Sequence, residues 1–152
     1  MDRRNAQHGE GPMAAEARGR APRRVLVVED DAVLALAIEV ALIDAGVADV
    51  ALCPGAADAM QALERMRPDA VVLDIHLADS DDGWALAELI DLLGPRRPRI
   101  VFSTAAPEDI PPGIAAMGQV FRKPYDLADL VAGLCADAGK PGLLGLLRSA
   151  IP

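Results

Sequence analysis

The 152-residue chain has two cysteines and two histidines, and they form no cluster, which disfavours a zinc site of Cys and His ligands. Cys53 and Cys135 lie in apolar surroundings, at a strand end and in the last helix, where packing is the expected role; a domain of this length needs no disulfide. No apolar run approaches the ~20 residues of a membrane span, and the N-terminus lacks the apolar core of a signal peptide. A cytoplasmic protein without a membrane partner is therefore expected. Basic residues are scarce in the body of the chain: residues 25–139 carry seven Lys or Arg against twenty Asp or Glu, within a net charge of −8. Phosphate backbones need clustered Lys and Arg, so nucleic acid is not an expected partner. A glycine-rich turn is also missing after the first strand, where Glu29-Asp30-Asp31 stands instead, and this excludes a dinucleotide fingerprint.

What is present is an alternation of strand-like and helix-like segments. Strands are expected near residues 24–29, 48–52, 70–74, 99–104 and 118–122, and helices near 31–45, 55–67, 84–93 and 126–138. Each strand feeds a helix, which predicts an α/β fold: a five-stranded parallel sheet, doubly wound, with both faces covered. Gly46 belongs at the end of the first helix, Pro54-Gly55 and Pro68 bracket the second, and Asp126 caps the last. Between Thr104 and Lys123 the pattern weakens, because Pro111-Pro112-Gly113 interrupts it and an interior Pro costs a helix ~3 kcal/mol. The fourth helix is expected to be short, displaced or mobile. Residues 1–23 form an Arg-rich extension without apolar periodicity, for which disorder is the default; 24–138 form the domain; 139–152 form a short apolar tail.

The strand ends carry the chemistry. Val25-Leu26-Val27-Val28 runs into Glu29-Asp30-Asp31, Ala70-Val71-Val72-Leu73 into Asp74, Ile100-Val101-Phe102-Ser103 into Thr104, and Gln119-Val120-Phe121-Arg122 into Lys123-Pro124. In a parallel sheet all these ends share one edge, the edge at which open α/β sheets bind ligands. Carboxylates ~4 Å apart at an effective dielectric of ~20 repel by about 4 kcal/mol per pair. A divalent cation is implied, and an all-oxygen ligand set favours Mg²⁺. Lys123 adds a compact positive charge and Thr104 a hydroxyl.

This set in this order, over roughly residues 24 to 138, resembles the receiver domain of two-component response regulators. The resemblance implies a flavodoxin-like (βα)5 fold and a phosphoprotein in which Asp74 accepts a phosphoryl group from a histidine kinase or phosphotransfer protein. It also implies that Glu29, Asp30 and Asp74, with the backbone carbonyl of His76, hold Mg²⁺. Thr104 and Lys123 would contact the phosphoryl oxygens, and the Lys123-Pro124 bond is a candidate for cis because X-Pro bonds tolerate that form cheaply. Such a domain is not an enzyme on outside substrates; it promotes only its own phosphorylation and dephosphorylation. Two readings compete: a receiver-like binding module that is never phosphorylated, and an Asp-nucleophile phosphatase, against which His76 stands where a second Asp is usual.

The chain departs from the family pattern in several places. The loop Ile75 to Gly83 is one residue longer than the commonest form, with Ala78 where Pro is usual, and His76 is expected to face solvent. Asp79, Asp81 and Asp82 read as a solvated acidic loop, since a calcium loop would need a downstream Glu. Val120 occupies the place of the aromatic switch residue, leaving Thr104 and Val120 as a switch pair without a ring to flip; Phe121 points to the other sheet face. With only residues 140–152 after the last helix, a stand-alone receiver is expected, its output being protein contact or a phosphorelay. In the first helix Leu34, Ala37, Ile38, Ala41 and Leu42 form a sheet-facing stripe. Val33, Leu36, Val40 and Ile43 form a second, where a solvent-facing helix would carry charge. Its spacing suits a seam with another helix: the kinase's helical bundle by resemblance, a homodimer otherwise, or the apolar tail or Arg-rich head as cover.

Overall fold

The computed structural model describes residues 21–77 and 83–136. The terminal segments and the Asp79, Asp81 and Asp82 loop lie outside them. Five strands, β1 (Arg24–Val28), β2 (Asp49–Cys53), β3 (Ala70–Asp74), β4 (Arg99–Thr104) and β5 (Gly118–Arg122), form one parallel sheet in the order β2-β1-β3-β4-β5. Helices α1 (Ala32–Asp44), α2 (Ala56–Met66), α3 (Gly83–Asp91), α4 (Pro112–Ala115) and α5 (Leu127–Cys135) alternate with them. Successive side chains of a strand point to opposite faces, and both faces are packed. Leu26, Val28, Val71, Leu73, Ile100 and Phe102 meet α2, α3 and α4 on one side. Val25, Val27, Val72 and Val101 meet Ile38 and Leu42 of α1 and Leu130 and Leu134 of α5 on the other. This two-sided burial is why β1 and β3 read as continuous apolar runs.

Local chemistry sets the boundaries. The Asp31 carboxylate accepts hydrogen bonds from the Val33 and Leu34 amides and caps α1, which ends before Gly46 at φ +101°. Helix α2 closes at Arg67, held at φ +46°, a conformation that favours glycine and that the sequence did not announce; Pro68 prevents continuation. Asp126 caps α5 through the Ala128 amide. That helix stops at Cys135 rather than 138, because Ala136 turns to extended geometry. The fourth helix is reduced to the four residues of α4, preceded by a 3-10 turn, Pro107–Asp109. Ile110 and Ile114 are buried and pin this segment to the sheet. In α1 the buried residues are Ala35, Ile38 and Leu42, while Leu34, Ala37 and Ala41 are only partly covered. The buried stripe is thus rotated by part of a turn from the one expected.

Candidate functional site

The site lies at the carboxyl edge of the sheet, across β1 and β3, where the strand order reverses. Ligand oxygens of Glu29, Asp30 and Asp74 all come within 4.8 Å of one another. Glu29 and Asp74 are almost fully buried and Asp30 is exposed at the rim. From β5, Lys123 Nζ reaches Asp74 Oδ2 at 3.1 Å and Glu29 Oε2 at 2.9 Å. Its hydrogen bond on Glu29 goes to Oε1 at 3.2 Å, so Oε2, although close as an ion-pair partner, is a buried oxygen without a hydrogen bond among the described residues. The His76 amide donates to Asp74 Oδ1 at 2.9 Å and the Asp31 amide to Glu29 Oε1 at 3.1 Å. The sequence-predicted residues Glu29, Asp30, Asp74 and Lys123 are therefore brought together.

Burial pushes the Glu29 carboxyl from 4.5 up to about 7; the hydrogen bonds from Lys123 and Asp31 oppose the rise and the charge of Asp74 adds to it. For Lys123, burial pulls the ammonium down, but the Glu29 hydrogen bond and the charges of Asp74 and Glu29 outweigh that and its pKa is raised. One ammonium is thus shared between two of three carboxylates. Three carboxylates against one shared ammonium, with an all-oxygen donor set, fit a hard divalent cation of the Mg²⁺ type.

Thr104 is fully buried at the end of β4. Its Oγ1 accepts from the Ala106 amide at 3.1 Å, and its carbonyl accepts from the Lys123 amide at 2.8 Å. The Lys123-Pro124 bond is cis. Val120 packs on the α2–α4 face and Phe121 on the α1/α5 face. The His76 side chain is exposed, with Nε2 3.9 Å from Asp109 Oδ2. Two features escaped the sequence reading. Asp31, third of the acidic run, serves the helix and not the cluster. Ser103, buried beside Thr104, shares a 2.7 Å hydrogen bond with the Tyr125 hydroxyl; the only sequence signal was a second hydroxyl directly after the apolar run Ile100-Val101-Phe102.

The profile described as "Response regulator receiver domain" matches residues 25–134. The chain belongs to that family. Solved receivers share the fold. The PhyR stress response regulator is 28% identical with a TM-score of 0.61, covering 80% of this chain and 46% of its own. This chain thus spans a little under half the length of that protein. The PhyR response regulator REC domain of Erythrobacter litoralis is 24% identical, with a TM-score of 0.62 and coverage of 90% and 97%. A response regulator protein from Burkholderia pseudomallei, solved with a phosphorylated aspartic acid, calcium ion and citrate, is 22% identical, with a TM-score of 0.61 and coverage of 86% and 75%. Among curated proteins no sequence matches. No helix among the described residues is long and apolar enough to cross a membrane.

Proposed function

We propose that this receiver domain accepts a phosphoryl group on Asp74 from a histidine kinase or phosphotransfer protein, in a Mg²⁺-dependent reaction, and signals by protein contact or passes the group on. The carrying observation is the Lys123 ammonium poised between Asp74 and Glu29, at 3.1 and 2.9 Å, beside a three-carboxylate cluster. In the reaction an Asp74 oxygen forms a bond to phosphorus as the bond from phosphorus to the donor imidazole nitrogen breaks, and the electron pair stays on the imidazole. Lys123 and the Thr104 hydroxyl, which accepts from the Ala106 amide and keeps its own proton free to donate, supply donors for the phosphoryl oxygens. Glu29, Asp30 and Asp74 would hold the Mg²⁺, which when bound offsets the charge of the carboxylates and the incoming group. The exposed α1 stripe of Val33, Leu36, Val40 and Ile43 is the proposed docking face for the phosphodonor.

The test is incubation with acetyl phosphate and Mg²⁺ followed by intact mass. Wild type should gain one labile phosphoryl group, and Asp74→Asn, which keeps the shape but removes the nucleophile, should gain none. Labelling of the Asn variant at the wild-type rate would refute the acceptor assignment. Turnover of external phosphoesters would point to a phosphatase instead.

A further inference from the structure

With Val120 on β5, no ring couples that strand to Thr104 on the α2–α4 face. The structure puts an aromatic on the opposite face. Tyr125 stands two residues after Lys123, beyond the cis bond to Pro124, and its hydroxyl meets Ser103 Oγ at 2.7 Å. Ser103 immediately precedes Thr104, and the Lys123 amide donates to the Thr104 carbonyl at 2.8 Å. The two arms therefore close a ring: Ser103-Thr104 on one side, Lys123-Pro124-Tyr125 on the other, joined once through backbone and once through side chains. The tyrosine ring is held in turn by Phe121, edge to face at a centroid distance of 6.0 Å. Gly133 lets Phe121 lie close under α5, since a Cβ there would fall 2.8 Å from the ring.

We propose that Tyr125 is a positioning residue whose hydroxyl, through Ser103, holds Thr104 and Lys123 in register with Asp74. This rests on the phosphoacceptor reading. Ser103 is fully buried, and a buried hydroxyl stripped of its partner carries the desolvation cost of an unmet hydrogen bond. The pair therefore fixes the end of β4 against the β5–α5 turn, and the two arms carry Thr104 and Lys123, the groups proposed to meet the phosphoryl oxygens. A misplacement of either arm is felt in the rate, because the site works by orientation.

The test uses Tyr125→Phe, which removes the hydroxyl and keeps the ring packed on Phe121, together with Ser103→Ala and the double variant. Phosphorylation by acetyl phosphate at saturating Mg²⁺ should slow roughly threefold to tenfold, the range one hydrogen bond spans. Mg²⁺ affinity should stay at the wild-type value, since Glu29, Asp30 and Asp74 are untouched, and the double variant should be no slower than either single one. A purely structural role would lower the melting temperature and leave the rate alone, and that result overturns the proposal. If Tyr125→Phe fails to fold, Ser103→Ala carries the same comparison. Exchange of the Lys123 amide gives a reading that needs no phosphorylation: relative to the core amide of Leu73 it should quicken in both single variants. Should wild type take up no phosphoryl group, the acceptor reading fails while amide exchange still decides the clamp; unchanged Lys123 protection overturns it.

Discussion

Three consecutive acids after β1 perform three tasks. Glu29 turns inward and is buried, Asp30 stays at the rim of the cluster, and Asp31 caps α1. Burial makes Glu29 the group whose titration reports on the metal-free fold. Between 4.5 and about 7 the folded protein keeps a proton there that the unfolded chain has released. More protons bound to the folded state means stability falls as pH rises through that window, by at most about 1.4 kcal/mol per pH unit. Urea unfolding of the metal-free protein at several pH values should show this decline, and Glu29→Gln should flatten it; parallel profiles for the two proteins would sink the assignment. Residue types at strand ends were legible because the chain must bring parallel strand ends to one edge. The division of labour within Glu29-Asp30-Asp31 was not, since it depends on which backbone amides each carboxylate faces. Nor was the Ser103–Tyr125 bond, which joins residues 22 apart in the chain and leaves no periodicity.

At the scale of elements the weak fourth helix is where sequence and structure agree most usefully. Pro111 and Pro112 open α4 and leave it four residues, far below the ~12 at which a helix holds itself together in water. What retains residues 105–117 is burial of Ile110 and Ile114 and an exposed ion pair from Arg122 to Glu108, 2.7 Å, of a kind worth only ~0–1 kcal/mol. Thr104, which leads into this segment, accepts a hydrogen bond from the Ala106 amide through its hydroxyl oxygen. Movement of the Thr104 side chain toward a phosphoryl group would stretch or break that bond and loosen or reorder the segment. Amide exchange over residues 105–117 should therefore differ with and without a phosphoryl mimic, and identical protection would reject this route. Strand and helix bounds followed from apolar runs and Pro or Gly punctuation to within a few residues. The left-handed Arg67 could not be foreseen, because nothing in an arginine signals a positive φ.

For the whole molecule the notable surface is α1. Val33, Leu36, Val40 and Ile43 are 79%, 54%, 57% and 54% exposed on a helix whose other face lies on the sheet and α5. Apolar side chains at spacings of three and four form a stripe that a helix of another chain can grip, and exposed apolar patches mark interaction sites. Leu36→Glu with Val40→Glu should impair kinase-dependent phosphotransfer, or self-association if the partner is a second copy, while acetyl phosphate still labels Asp74. A folded double variant with both properties unchanged would remove this face from consideration. Both the buried and the exposed stripe were readable as helical spacing. The exact rotation was not, because it is set by how α1 and α5 pack against each other.

Gly83 carries a different consequence. A Cβ at this first residue of α3 would stand 2.6 Å from the Ile75 carbonyl oxygen and 2.8 Å from that of Asp74, so the helix start touches the backbone that carries the Asp74 carboxylate. The two ends of the intervening loop are thus already in contact, and lengthening a loop whose ends meet is cheap, about 0.6 kcal/mol per doubling. Insertions after Leu77 are therefore open to drift and to selection for new partners, whereas His76, whose amide holds Asp74 Oδ1, and the buried Leu77 stay fixed. Any side chain at Gly83 instead forces the start of α3 or the Asp74–Ile75 backbone to move, which makes this glycine a fixed point around which the loop can change.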